Sequence, residues 1–237
     1  MNISHKHKII WWAPERCGTR AVAHIFKDHE FGNVSENGDY ITLGERYHSH
    51  DNIFPNEYSN YKLISSIRNP YDRMFSLYYN FIEQVVPFRR EYFEQIKTSF
   101  NKWIDLVLKS RKLIVVVGDS DGKFEFKYRT ISKWTFRETE PNSFIRMENI
   151  VEDLERLDFI KESDGWKNGE YLQFLNKNQF KNEKSIKFHD VYEIGSAKKV
   201  YEYYKKHFYL CDYDPFSFTK EELTDEQKIS FIHDIAE

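Results

Sequence analysis

Short apolar runs closed by polar turns, and followed by stretches of helical period, set the rhythm of the chain. "HKIIWW" (7–12) is a β-prone run, "APERCG" (13–18) carries the Pro and Gly of a loop, and Val22, Ala23, Ile25 and Phe26 share one face of a segment running from Thr19 to His29. The pattern predicts strand, loop, helix. It repeats at "YKLISSI" (61–67), a second buried-strand candidate. There Asn69 can cap, and Pro70 suits the first position of a helix that carries Tyr71, Met74, Phe75, Tyr78, Phe81, Ile82 and Val85 at i, i+3, i+4, i+7 spacing.

Further along, the spacing predicts a helix over 90–109, a β-hairpin over 112–128 around a Gly/Asp/Ser turn, and a strand within 142–149 running into a helix with Leu154 and Leu157. Residues 160–190 are polar and poorly patterned, and helices are expected over 192–207 and 220–235. No repeat, low-complexity tract or linker interrupts the chain, so a single domain over 1–237 is expected. Strands separated by helices favour a three-layer α/β fold around a central, mainly parallel sheet.

Composition narrows the functional classes. The chain has 237 residues, 40% hydrophobic and 17% aromatic, enough for a sizeable core. A net charge of −3 argues against a general nucleic-acid binder, so any anion must be held by a local cluster. No apolar run is long enough to cross a bilayer, so no membrane partner is expected. The start lacks a leader-like apolar core, and Cys17 and Cys211 are far apart, which together favour the reducing cytoplasm.

Three constellations could carry chemistry. In "PERCGTR" a strand-to-helix turn with Gly18 lets backbone approach a ligand, the new helix offers unpaired N–H groups to an anion, and Arg16 and Thr19 add a charge and a hydroxyl; an ordinary turn with a surface arginine is the plainer alternative. The nucleotide-loop string G-x-x-x-x-G-K-[ST] is absent, and a cysteine-phosphatase loop would need Arg six positions after Cys17, where Ala23 stands. Cys17 reads as a small loop residue.

The second constellation is Arg68, at the expected carboxyl end of a central strand where open α/β sheets bind ligands, with Ser76 two turns into the next helix and off its apolar stripe. A guanidinium grips phosphate and a hydroxyl adds one bond. Otherwise Arg68 pairs with Asp72 and Ser76 faces water.

The third is "YHSHD" (47–51). If the segment is extended, His48 and His50 point to one side; they suit a general base, a solvated loop or two ligands of a metal, with no third ligand at a recognisable spacing. "GDSDG" (118–122) places glycine too early for a calcium loop and reads as a turn.

Taken together, the first loop and the "R-x-P-x-x-R-x-x-S" pattern of Arg68, Pro70, Arg73 and Ser76 resemble the sulfotransferases that use 3′-phosphoadenosine 5′-phosphosulfate (PAPS). The His-x-His placed before the second motif is similar to the Golgi carbohydrate branch, in particular the uronyl and heparan sulfate 2-O-sulfotransferases. The resemblance covers 9–29 and 47–82, extends to 144–157 and 191–216, and is absent over about 86–140, where acceptor contacts would be sought.

It implies a P-loop-like sulfotransferase fold. Arg16, Cys17, Gly18, Thr19 and Arg20 would hold the 5′-phosphosulfate, Arg68 and Ser76 the 3′-phosphate, with Arg73 in support. His50 would be the base, His48 its helper and Glu45 a second candidate. The acceptor would be a hydroxyl, of a glycan or a small molecule, and no metal is called for. Many members carry Lys at the position of Arg16, so the resemblance assigns Arg16 charge stabilisation of the leaving phosphate rather than proton donation. The Gly-rich C-terminal adenine motif of the cytosolic enzymes is missing. A kinase-like phosphotransferase or a non-catalytic nucleotide-binding module would share the same strand–loop–helix anion site.

Overall fold

A computed structural model describes residues 2–31, 33–34, 40–41, 58–85, 93–110, 112–118, 124–130, 140–181 and 187–233. The chain is α/β, and it divides into two compact units, one of residues 1–68 and 132–183 and one of 69–131 and 184–237. Both units are discontinuous in sequence.

The first unit is built on a four-stranded sheet in the order β1 (Asn2–Ser4), β2 (Ile9–Trp12), β5 (Lys62–Ile67), β8 (Ser143–Arg146). Here β1 is antiparallel to β2, whereas β2–β5 and β5–β8 are parallel, with Trp11 opposite Ile64 and Ser66 opposite Ile145. Two-residue strands β3 (Asn33–Val34) and β4 (Tyr40–Ile41) pair separately. The strand expected over 7–12 starts at Ile9, because Lys8 takes a left-handed φ of 52° in the turn that returns the chain from β1.

Alternation sorts the sheet's side chains. Ile9, Trp11, Ile64 and Ile145 face a cluster with Val22, Ala23, Ile25 and Phe26 of helix α1 (Thr19–Phe26). Ile150 and Leu154 of α4 (Ile150–Glu155) join it, as do Ile160 of α5 (Asp158–Lys161) and Tyr171 and Leu175 of α7 (Glu170–Lys181). Each large apolar side chain buried there contributes roughly 1.5–3 kcal/mol. Ile10 and Leu63, on the other face, pack with Ile3 and Tyr58. The poorly patterned 160–190 region thus holds α5, α6 (Asp164–Lys167) and α7, and Ser163 caps α6 by accepting from the Trp166 amide. Polar outer faces hid these helices from a periodicity reading.

The second unit contains α2 (Pro70–Val85), α3 (Phe93–Ser110), the antiparallel hairpin β6 (Lys112–Gly118)–β7 (Phe124–Thr130), α8 (Ile194–Cys211) and α9 (Asp225–His233). Each answers an element expected from the spacing. The Asn69 cap forms: its Oδ1 accepts from the Tyr71 amide at 2.9 Å and its carbonyl from the Arg73 amide at 2.8 Å. With Pro70 at the first position no amide there is left over. Tyr71, Met74, Phe75 and Tyr78 of the expected stripe are buried against Phe100, Ile104, Tyr192, Tyr204 and Phe208. Within 144–157 and 191–216, Ile145, Tyr204 and Phe208 are buried, whereas Phe144 and Tyr201 are half-buried.

Candidate anion-binding site

The carboxyl ends of β2, β5 and β8 lie side by side, because the three strands are parallel and in register. In open α/β sheets this edge is where ligands bind. Beyond β2 the chain makes a tight turn: the Cys17 amide donates to the Pro14 carbonyl at 3.2 Å, and Thr19 Oγ1 to the same carbonyl at 3.5 Å. Arg16 (φ 64°) and Gly18 (φ 66°) both take left-handed conformations, rare for arginine and natural for glycine.

The turn delivers the chain to the N-terminus of α1. Gly18 is its N-cap, its carbonyl accepting from the Val22 amide at 3.0 Å. No side chain caps the helix there and its first turn carries no acidic residue, so the positive end of the helix dipole is left for an anion from outside. Arg16 and Arg20 are exposed on either side, and Glu15 shares the turn. Cys17 is 1% exposed and not in a disulfide, as suits a loop-packing residue. Gly18 has a second duty that sequence reading missed: a Cβ there would overlap Met147 Sδ. The space freed by the glycine is filled by that thioether, so a ligand would meet the turn through its amides and arginines.

Arg68 follows the last residue of β5. Its Nη1 donates to the Arg16 carbonyl at 3.4 Å, so the arginine after the second strand reaches the turn after the first. Beside it, Arg146 ends β8, opposite Ile67. Arg146 is committed to Asp153: its amide, Nε and Nη2 donate to that carboxylate at 2.8, 2.9 and 2.8 Å, and Arg156 Nη1 joins at 3.2 Å. The Asp153 side chain is 1% exposed. This bidentate grip is strong and geometrically defined. Its sequence signal was Arg146 and Asp153 at the two ends of "RMENIVED", where the expected strand runs into a helix.

Of the residues singled out from sequence, Arg16, Cys17, Gly18, Thr19 and Arg20 share one turn, and Arg68 reaches it. Ser76 and Arg73 belong to α2 in the second unit and are buried at 1% and 2% exposure, which removes the alternative of a water-facing Ser76. Arg73 lies 5.7 Å from the centre of the Tyr204 ring, with Nη1 3.5 Å from that tyrosine's hydroxyl. Glu45, His48 and His50 lie outside the described residues. Among the described residues, no group of three or more His, Cys, Asp or Glu could hold a metal ion, and no helix is long and apolar enough to cross a membrane.

No family model, no curated protein and no solved structure matches the chain.

Proposed function

We propose that the chain is a PAPS-dependent sulfotransferase of the P-loop-like, three-layer kind, acting in the cytoplasm on a hydroxyl acceptor of carbohydrate type. The observation that carries this reading is the Arg68–Arg16 contact at the carboxyl edge of a parallel sheet, beside an uncapped helix N-terminus. An edge with Arg16, Arg20 and Arg68 suits the paired phosphates of a bisphosphorylated nucleotide.

In this reading the amides of Gly18, Thr19 and Arg20, with Arg16, hold the 5′-phosphosulfate and stabilise charge that grows on the bridging oxygen of the leaving phosphate, while Cys17 shapes the turn by donating its amide to the Pro14 carbonyl. Arg68 and Ser76 select the 3′-phosphate. His50, helped by His48 and with Glu45 as the second candidate, accepts the acceptor's proton as its oxygen attacks sulfur in line. Positioning and fixed charge supply the catalysis, as in phosphoryl transfer. Calorimetric titration with 3′-phosphoadenosine 5′-phosphate beside ADP, in wild type and Arg68→Ala, tests it. Metal-independent preference for the 3′-phosphorylated nucleotide, lost in the variant, is expected; equal or absent binding of the two sinks the proposal.

A further inference from the structure

The turn that opens α1 is held from outside its own sequence. Arg16 and Gly18 are both left-handed, and Cys17 between them is 1% exposed. A non-glycine residue in that region persists only where its surroundings over-determine it. At Arg16 the carbonyl accepts from Arg68 Nη1 at 3.4 Å, and two residues on, Met147 closes the turn from above, its Sδ and Cε lying where a Cβ on Gly18 would stand.

Met147 is in turn held through the residue before it. It follows Arg146, whose amide and guanidinium are all gripped by the buried Asp153 carboxylate. The side chain also packs against the cluster that contains Val22, Ala23 and Ile150. An unbranched thioether can follow the bare Cα of a glycine more closely than a β-branched side chain can.

We propose that Met147 is the positioning residue of the anion-binding turn, and that the Arg146–Asp153 pair fixes Met147 against Gly18. The effect on nucleotide binding rests on the reading of residues 16–20 as a phosphosulfate cradle; the effect on the turn does not.

Cys17 reports the turn directly. The chain has two cysteines, so in a Cys211→Ser background Cys17 is the sole thiol. Its rate of modification by 5,5′-dithiobis(2-nitrobenzoate) and the affinity for 3′-phosphoadenosine 5′-phosphate are measured well below the melting temperature for Met147→Ala, Met147→Val and Met147→Leu. Met147→Ala is expected to speed labelling and weaken nucleotide binding, each by roughly tenfold or more, as loss of a positioning contact does. Met147→Val should fall between, and Met147→Leu should restore both. Asp153→Asn should shift both readouts the same way as Met147→Ala.

Faster labelling in a protein that binds no nucleotide upholds the positioning role and overturns the cradle reading alone. Labelling of Met147→Ala at the parent's rate overturns the positioning role, as does a labelling rate that only tracks the fall in melting temperature. Should Met147→Ala fail to fold, the graded Met147→Val and Met147→Leu pair decides in the same way.

Discussion

Trp11 donates its indole N–H to the hydroxyl of Ser66 at 2.8 Å, across the parallel pair β2–β5, with both residues essentially sealed from solvent. The bond explains one of the two adjacent serines buried in β5. Ser66 satisfies the polar atom of the largest fully buried side chain.

Removing that hydroxyl leaves the indole N–H buried without its acceptor. Ser66→Ala should therefore cost about 1–3 kcal/mol in urea unfolding. Trp11→Phe combined with Ser66→Ala should cost less than the sum of the two changes, because the second removal strands nothing further. Strict additivity would show that the bond carries no coupling.

Asp153 is the buried anchor at the end of β8. Replacing it with Ala leaves Arg146, whose side chain is 25% exposed, without its carboxylate. Because that arginine keeps partial access to water, the loss should sit at the low end for a broken buried pair, about 3 kcal/mol. Thermal and urea unfolding measure it, and a loss within the scatter of surface substitutions would contradict the anchor role.

His7 and His29 form an edge-on pair at 5.9 Å, each within ring contact of Phe159, and both Nε2 atoms are buried without a partner. Burial is the main cause that lowers both imidazoles below the usual 6.5; Lys6 adds to the lowering at both, while Glu30 opposes it at His7 and Asp28 at His29. The unfolded chain then binds more protons than the native one between the depressed values and 6.5, so stability is complete above that pH and falls as pH drops through it. Melting temperatures across this range should show the fall, and His29→Phe should flatten it. An unchanged slope in that variant would remove the pair as its source.

Arg68→Ala should weaken 3′-phosphoadenosine 5′-phosphate by roughly 1.5–3 kcal/mol, the worth of a hydrogen bond to a charged group. Arg68 is only partly buried, so stability should change by no more than about 0.5 kcal/mol. An equal loss for ADP would place Arg68 away from the 3′-phosphate.

His50→Ala should lower sulfuryl transfer by about 10²–10⁴, the usual worth of a general base, with nucleotide affinity intact. His48→Ala should have a smaller effect. Unchanged turnover in both would pass the role to Glu45.

Local rules made much of the architecture legible. The Asn69–Pro70 start of α2, the stripe from Tyr71 to Tyr78 and the β6–β7 hairpin depend on residues close in sequence. Capping, helical period and turn chemistry act over that range. The arginines of the candidate site were legible for a related reason: one follows a strand-forming run directly, and the others sit in or beside the turn that follows another.

What the sequence by itself determined, then, is where elements start and stop and which of their faces are apolar. Tertiary structure alone decided the partners. That Ser66 would serve Trp11 and that Met147 would fill the space over Gly18 depend on contacts between residues 55 and 129 positions apart. Helices α5 to α7 belong here too, since Ile160, Tyr171 and Leu175 acquire a buried face only once α1 and the sheet are beneath them. Local propensity is a weak prior for such segments, and burial against the assembled sheet is the larger energy.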